Sequence, residues 1–122
     1  GLPLLGAIPK LPRGSRPAEA LSDLRSPFSE AYYSLRTALQ FSLADGGPRS
    51  LLVTSTRPSE GKSTSALAIA LHFARLGRRT LLIDGDLRNP SLHKALNLEN
   101  DRGLSAVLTG EAELGETVKP TD

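Results

Sequence analysis

The sequence predicts an α/β protein built on a doubly wound parallel sheet. Three observations carry that expectation. An apolar run, Ser50 to Thr54, leads through a polar loop into an alanine-rich helical stretch, Ser65 to Ala74. A second β-branched and leucine run, Thr80 to Ile83, follows that helix. The two runs lie about 25 residues apart, which matches a right-handed β-α-β crossover in length.

The elements follow in order. Gly1 to Arg25 contains Pro3, Pro9, Pro12 and Pro17 and is expected to be an extended lead-in, with Leu4 to Ile8 as a possible short edge strand. Ser26 to Leu43 is predicted as a helix, with Ser26 as N-cap and Pro27 at the first helical position. Phe28, Tyr32, Leu35, Leu39 and Leu43 recur at helical spacing and form its expected buried stripe. Glu30, Tyr33 and Arg36 share a different line, read either as a solvated face or as a subunit contact. Asp45-Gly46-Gly47-Pro48 ends the helix.

Leu51 to Thr54 is expected as a central strand. Lys62 to Leu76 is the next helix, stopped by Gly77 as a left-handed cap. Thr80 to Asp84 is the following strand, and Pro90 to Leu96 a short helix capped by Asn89. Only two strands of parallel type can be found, fewer than a doubly wound sheet normally has. Residues 26–122 are therefore expected to be the N-terminal part of a larger domain.

Between the first strand and its helix lies Arg57-Pro58-Ser59-Glu60-Gly61-Lys62-Ser63-Thr64. Gly-Lys-Ser/Thr in that context is the core of a phosphate-binding P-loop, although Thr56 stands where the usual pattern begins with Gly. A turn at a helix N-terminus aims backbone N–H groups at one point, and the helix dipole favours negative charge there. Gly61 lets the backbone approach a phosphate. Lys62 brings an ammonium to the terminal phosphates, and the Ser63 hydroxyl suits Mg²⁺. Ser59, Glu60, Gly61, Lys62, Ser63 and Thr64 are the expected nucleotide-binding residues, and the fold is of the P-loop NTPase type.

The second run ends in Asp84-Gly85-Asp86-Leu87-Arg88-Asn89-Pro90. Two carboxylates just past the C-terminal end of a strand sit where open α/β sheets bind ligands. They could support Mg²⁺ or take a proton from an attacking hydroxyl. Both are expected to face Mg²⁺ and substrate rather than the core.

Composition excludes several classes. The formal net charge is +2 with 23% charged residues, and the basic residues are scattered rather than blocked with aromatics, so nucleic acid is not an expected partner. There is no cysteine, hence no disulfide or thiolate metal site. No apolar run approaches the ~20 residues that span a bilayer. His72 and His93 lack metal-ligand spacing and are expected to have surface or capping roles. Ser55, Ser63 and Ser65 have no His and Asp in triad-like context.

Thr54-Ser55, Pro58, Glu60 to Thr64, then Asp84, Asp86, Arg88, Pro90 and His93 together resemble the bacterial tyrosine autokinases of the capsule and exopolysaccharide export system. That family carries T-S-x-x-P-x-E-G-K-S-T followed by D-x-D-x-R-x-P-x-x-H. Leu5 to Pro9 resembles its lead-in segment, and Gly103 to Gly110 its short helix after the acidic loop. Glu30 to Thr37 resembles its E-x-x-R-x-x-R-T helix, with Tyr33 in place of the first Arg. Ser59 stands where the family often has Gly.

The resemblance implies an ATP- and Mg²⁺-dependent protein-tyrosine autokinase. Lys62, Asp84 and Asp86 would be catalytic. Ser63 and Asp86 would hold Mg²⁺, partly through water. Asp84 would be the base for a tyrosine hydroxyl, and Arg88 a charge partner. It also implies a ring-like homo-oligomer phosphorylating in trans on the cytoplasmic side of the inner membrane, with a membrane co-polymerase domain or adaptor. The family's third nucleotide motif and tyrosine-rich tail are not found, so the chain alone is expected to be inactive. The alternatives are a partition- or division-type switch ATPase and a non-catalytic regulator of polysaccharide chain length.

Overall fold

The computed structural model describes residues 2–59 and 61–121. It divides into two compact units, residues 1–81 and 82–122.

The first unit is built on three helices, α1 (Pro17–Ser22), α2 (Pro27–Phe41) and α3 (Lys62–Ala74). α2 begins where the sequence predicts. Pro27 supplies a preset φ at its first position, and the Ser26 hydroxyl accepts the Ser29 N–H at 3.1 Å. The same hydroxyl donates to the Ala20 carbonyl at 2.8 Å, so one serine caps α2 and holds the end of α1.

α1 was not expected. It lies within the segment read as an extended lead-in, and its Leu21 is completely buried. Arg75, just past α3, donates to the Leu21 carbonyl at 3.0 Å. The proline count hid this helix, because Pro17 stands at its first position, where a missing N–H costs nothing. No strand forms at Leu4 to Ile8. That stretch passes α2 instead: a Cβ at Gly6 would lie 3.8 Å from Leu35 Cδ1.

The core joins Leu21, Phe28, Tyr32 and Leu39 to Leu67, Ala68 and Ile69 of α3. Burying each large side chain contributes about 1.5–3 kcal/mol. Of the expected α2 stripe, Leu35 is half-buried and Leu43 lies exposed beyond the helix end. α3 ends at Ala74, and Gly77 follows with φ 80 as the expected left-handed cap.

Arg36 and His72 are both 4% exposed, where Arg36 is expected on a solvated face or a subunit contact and His72 in a surface or capping role. The line of Glu30, Tyr33 and Arg36 is therefore split, with Glu30 and Tyr33 exposed and Arg36 inside. The Arg36 guanidinium lies 4.6 Å over the Tyr33 ring, a cation–π contact that offsets part of its desolvation. The His72 ring of α3 lies edge-on to the Tyr33 ring, with centroids 6.3 Å apart. Burial pushes the His72 pKa below its ordinary value, and the positive charges of Arg75 and Arg36 push it the same way. Both effects favour the neutral imidazole.

The second unit contains α4 (Leu92–Ala95), α5 (Leu104–Leu108) and α6 (Leu114–Thr117). α5 matches the short helix expected between Gly103 and Gly110. α6 lies in a stretch whose sequence carries no clear signal. α5 packs with α6, and Arg102 ties into this pair by donating to the Glu111 carbonyl at 3.2 Å and pairing with Glu116 at 3.5 Å.

Among the described residues there is no β-strand. The runs at Leu51 to Thr54 and Thr80 to Asp84 follow the expected order but are unpaired. A strand exists through the neighbour that takes its backbone bonds. Leu52 is 86% exposed, and Leu81 and Ile83 are exposed as well.

Candidate functional site

The phosphate loop lies entirely in the first unit. Gly61 is the N-cap of α3, with φ 85 and ψ 17. That left-handed conformation favours glycine, and a Cβ there would meet nothing within 4 Å. The glycine is therefore required by backbone angle, and open space is left above the loop. The Ser65 N–H closes the first turn on the Gly61 carbonyl at 2.8 Å. Among the described residues, the N–H groups of Ser63 and Thr64 have no protein acceptor, as a helix start requires if it is to receive an anion. Lys62 is the first residue of the helix, so its ammonium is carried on the same turn. Glu60, expected in this cradle, lies outside the described residues.

Ser59 shows what its departure from glycine means. It adopts φ 59, one of two non-glycine residues described with positive φ. A side chain costs about 1–2 kcal/mol in that region. Ser59→Gly removes the strain but adds freedom to the unfolded chain, worth about 0.5–1 kcal/mol. The expected net result is a stabilisation of up to about 1.5 kcal/mol, read as a rise in melting temperature. A fall would show that the serine side chain holds the loop.

The acidic loop lies in the second unit. Asp84 and Asp86 are half-buried. Asp84 is not simply turned to a ligand, as expected from sequence. Its Oδ1 accepts the Asp86 N–H at 3.0 Å, and its Oδ2 accepts the N–H groups of Ser91 and Leu92 at 3.0 and 3.1 Å. Asp84 thereby caps α4, a role assigned to Asn89 from sequence. The Asn89 N–H instead donates to Asp86 Oδ1 at 3.1 Å. The two carboxylates organise one continuous turn from residue 84 to 92. Arg88 is exposed on that turn and His93 is half-buried in α4. Among the described residues, no group of three His, Cys, Asp or Glu side chains could hold a metal ion, and no helix is long and apolar enough to cross a membrane.

Sequence reasoning missed Tyr32 as a partner of the phosphate-loop helix. Its hydroxyl lies 2.8 Å from Ser65 Oγ. Helical periodicity marked Tyr32 as buried, but no sequence signal names a partner 33 residues away.

A glycine-opened helix start bearing Gly-Lys-Ser-Thr, followed in the chain by the acidic turn, has the form of a phosphate-binding P-loop. Comparison with known proteins places it further. No protein-family model matches the chain. It is 40% identical over 113 residues to the tyrosine-protein kinase YwqD of Bacillus subtilis, covering 90% of this chain and 48% of YwqD. It is 37% identical over 92 residues to the tyrosine-protein kinase wzc of Salmonella typhimurium, covering 75% of this chain and 13% of wzc. The crystal structure of the chimerical protein CapA2B2 superposes with TM-score 0.80 at 33% identity, over 99% of this chain and 51% of that one. The BceF tyrosine kinase domain superposes with TM-score 0.79 at 30% identity, over 98% and 53%. The chain is similar over most of its length to bacterial tyrosine-protein kinases, and spans about half the length of YwqD and of these two solved chains. The kinase names do not favour a partition- or division-type switch ATPase.

Proposed function

We propose that this chain is the ATP-binding part of a protein-tyrosine autokinase that regulates capsule or exopolysaccharide polymerisation and export. The observation that carries the reading is the 40% identity to a tyrosine-protein kinase over 113 residues, a span that includes both motifs' lengths of chain. The loop fits the nucleotide on physical grounds. Among the described residues, the Ser63 and Thr64 N–H groups have no protein acceptor, a glycine has open space beside it, and a lysine sits on the first helical turn.

In this reading the amides of Gly61 to Thr64 and the Lys62 ammonium hold the β- and γ-phosphates. Ser63 and Asp86 hold Mg²⁺, which when bound would neutralise charge on the transferring phosphoryl group. Asp84 accepts the proton of the incoming tyrosine hydroxyl; each of its oxygens has two lone pairs, and Oδ1 accepts one bond from the protein. Arg88 serves as a charge partner. The doubly wound sheet would take in the runs at Leu51 to Thr54 and Thr80 to Asp84. Transfer would occur in trans within a ring-like homo-oligomer at the cytoplasmic side of the inner membrane, beside a membrane co-polymerase domain or adaptor. The subunit contact on α2 would rest on Glu30 and Tyr33, because Arg36 is buried in its own unit.

The test is incubation with γ-labelled ATP and Mg²⁺. A protein of the relatives' length carrying this segment is expected to label tyrosine. The 122-residue chain is expected to bind nucleotide without labelling itself, since of its two tyrosines Tyr32 is buried and the exposed Tyr33 is engaged by Arg36 on one face of its ring. Nucleotide hydrolysis by the longer protein with no phosphotyrosine would overturn the kinase reading.

A further inference from the structure

The first turn of the phosphate-loop helix is held by a residue outside every nucleotide motif. Tyr32 is 2% exposed on α2, and its only polar side-chain atom lies 2.8 Å from Ser65 Oγ. Its ring is fixed edge-on against Phe28, with centroids 5.1 Å apart and planes at 81°. α2 is itself anchored at its start by the Ser26 cap. The phenol is therefore a rigid post rather than a mobile contact.

Ser65 is the receiving end. It lies three positions after Lys62, on the neighbouring line of α3. Its N–H closes the turn on the Gly61 carbonyl at 2.8 Å. A helical serine commonly turns its hydroxyl back to the carbonyl four residues earlier, which bends the helix. For Ser65 that carbonyl belongs to Gly61, the loop glycine. Among the described residues Ser65 Oγ makes no such bond and is directed to Tyr32. Burial raises the Tyr32 pKa above its ordinary value, with the Ser65 bond opposing in smaller part, so the phenol stays protonated at neutral pH. A phenylalanine would fill the same space beside Phe28; the hydroxyl adds only the link to Ser65.

We propose that Tyr32 is a positioning residue of the nucleotide site, acting through Ser65 to fix the first turn of α3 and with it Lys62 and the loop amides. The proposal rests on the phosphate-loop reading above. It makes α2 a mechanical support of the nucleotide site, beyond the subunit contact considered for that helix.

The experiment measures affinity for Mg²⁺-ATP and for adenosine by calorimetry, well below the melting temperature, in the full chain with Tyr32→Phe, Ser65→Ala, Ser65→Thr and the Tyr32→Phe/Ser65→Ala pair. Tyr32→Phe and Ser65→Ala are each expected to weaken Mg²⁺-ATP binding about tenfold, the scale of one lost hydrogen bond. The pair should be no weaker than either single variant, adenosine binding should not move, and Ser65→Thr, which keeps the hydroxyl, should restore affinity. A merely structural bond would lower the melting temperature while leaving ATP affinity of the folded protein within twofold, and that result overturns the proposal. Additive losses in the pair would overturn it as well. Failure of the wild type to bind Mg²⁺-ATP would instead sink the phosphate-loop reading, and the proposal with it.

Discussion

Lys62→Met is expected to abolish Mg²⁺-ATP binding while leaving the fold intact. Methionine matches lysine in helix propensity and in unbranched shape, so α3 should still begin at residue 62. What disappears is the ammonium on the first helical turn. A hydrogen bond to a charged group contributes about 1.5–3 kcal/mol. Two such contacts, to the β- and γ-phosphates, correspond to a loss of affinity on the order of a hundredfold to ten-thousandfold. Calorimetry on the wild type and the variant, with circular dichroism to confirm equal helix content, makes the comparison. Equal affinities would show that the Gly-Lys-Ser-Thr turn is only the start of a helix.

Asp84→Asn should affect both activity and the start of α4, whereas Asp86→Asn should affect activity and leave the start of α4 capped. Asp84 takes three backbone N–H groups on its two oxygens. Asparagine has one carbonyl oxygen, and its amide would face N–H donors with a donor. Either the Asp86 N–H or the pair from Ser91 and Leu92 is then left unsatisfied, at about 1–3 kcal/mol for each buried group. Asp86 accepts the Asn89 N–H through one oxygen, a bond an asparagine can retain. Hydrogen exchange at the Asp86, Ser91 and Leu92 amides separates the two. Faster exchange on one side or the other, at Asp86 or at Ser91 and Leu92, is expected in Asp84→Asn, and unchanged exchange at Ser91 and Leu92 in Asp86→Asn, with autophosphorylation lost in both when carried in a protein of the relatives' length. Unchanged exchange at all three amides in Asp84→Asn would refute the capping role, and full autophosphorylation by either variant would remove that residue from the chemistry.

Several parts of this protein were legible because their physics is local. Ser26 and Pro27 state the start of α2, since the groups a helix start must satisfy lie within three residues. Gly77 states the end of α3 for the same reason. Lys62, Ser63 and Thr64 follow a glycine whose positive φ opens the helix, so the candidate site could be read as a string. Tyr32 and Leu39 were placed in the core by helical period alone. The acidic turn was located correctly, but the division of labour inside it was not. Asp84 bonds to residues seven and eight positions away, and spacing says nothing about which of two nearby carboxylates will turn to them.

By itself, then, the sequence determined the helices α2 and α3, the glycine-opened Gly-Lys-Ser-Thr turn and the place of the acidic turn, through signals confined to a few neighbouring residues, and the resemblance to bacterial tyrosine kinases through motifs spread along the chain. The tertiary structure alone decided that Leu21 is buried, that Arg36 and His72 lie inside rather than at the surface, and that Tyr32 reaches Ser65. These depend on which helix packs against which. A side chain's burial and its hydrogen-bond partner are properties of the face laid over it, and that face comes from another part of the chain.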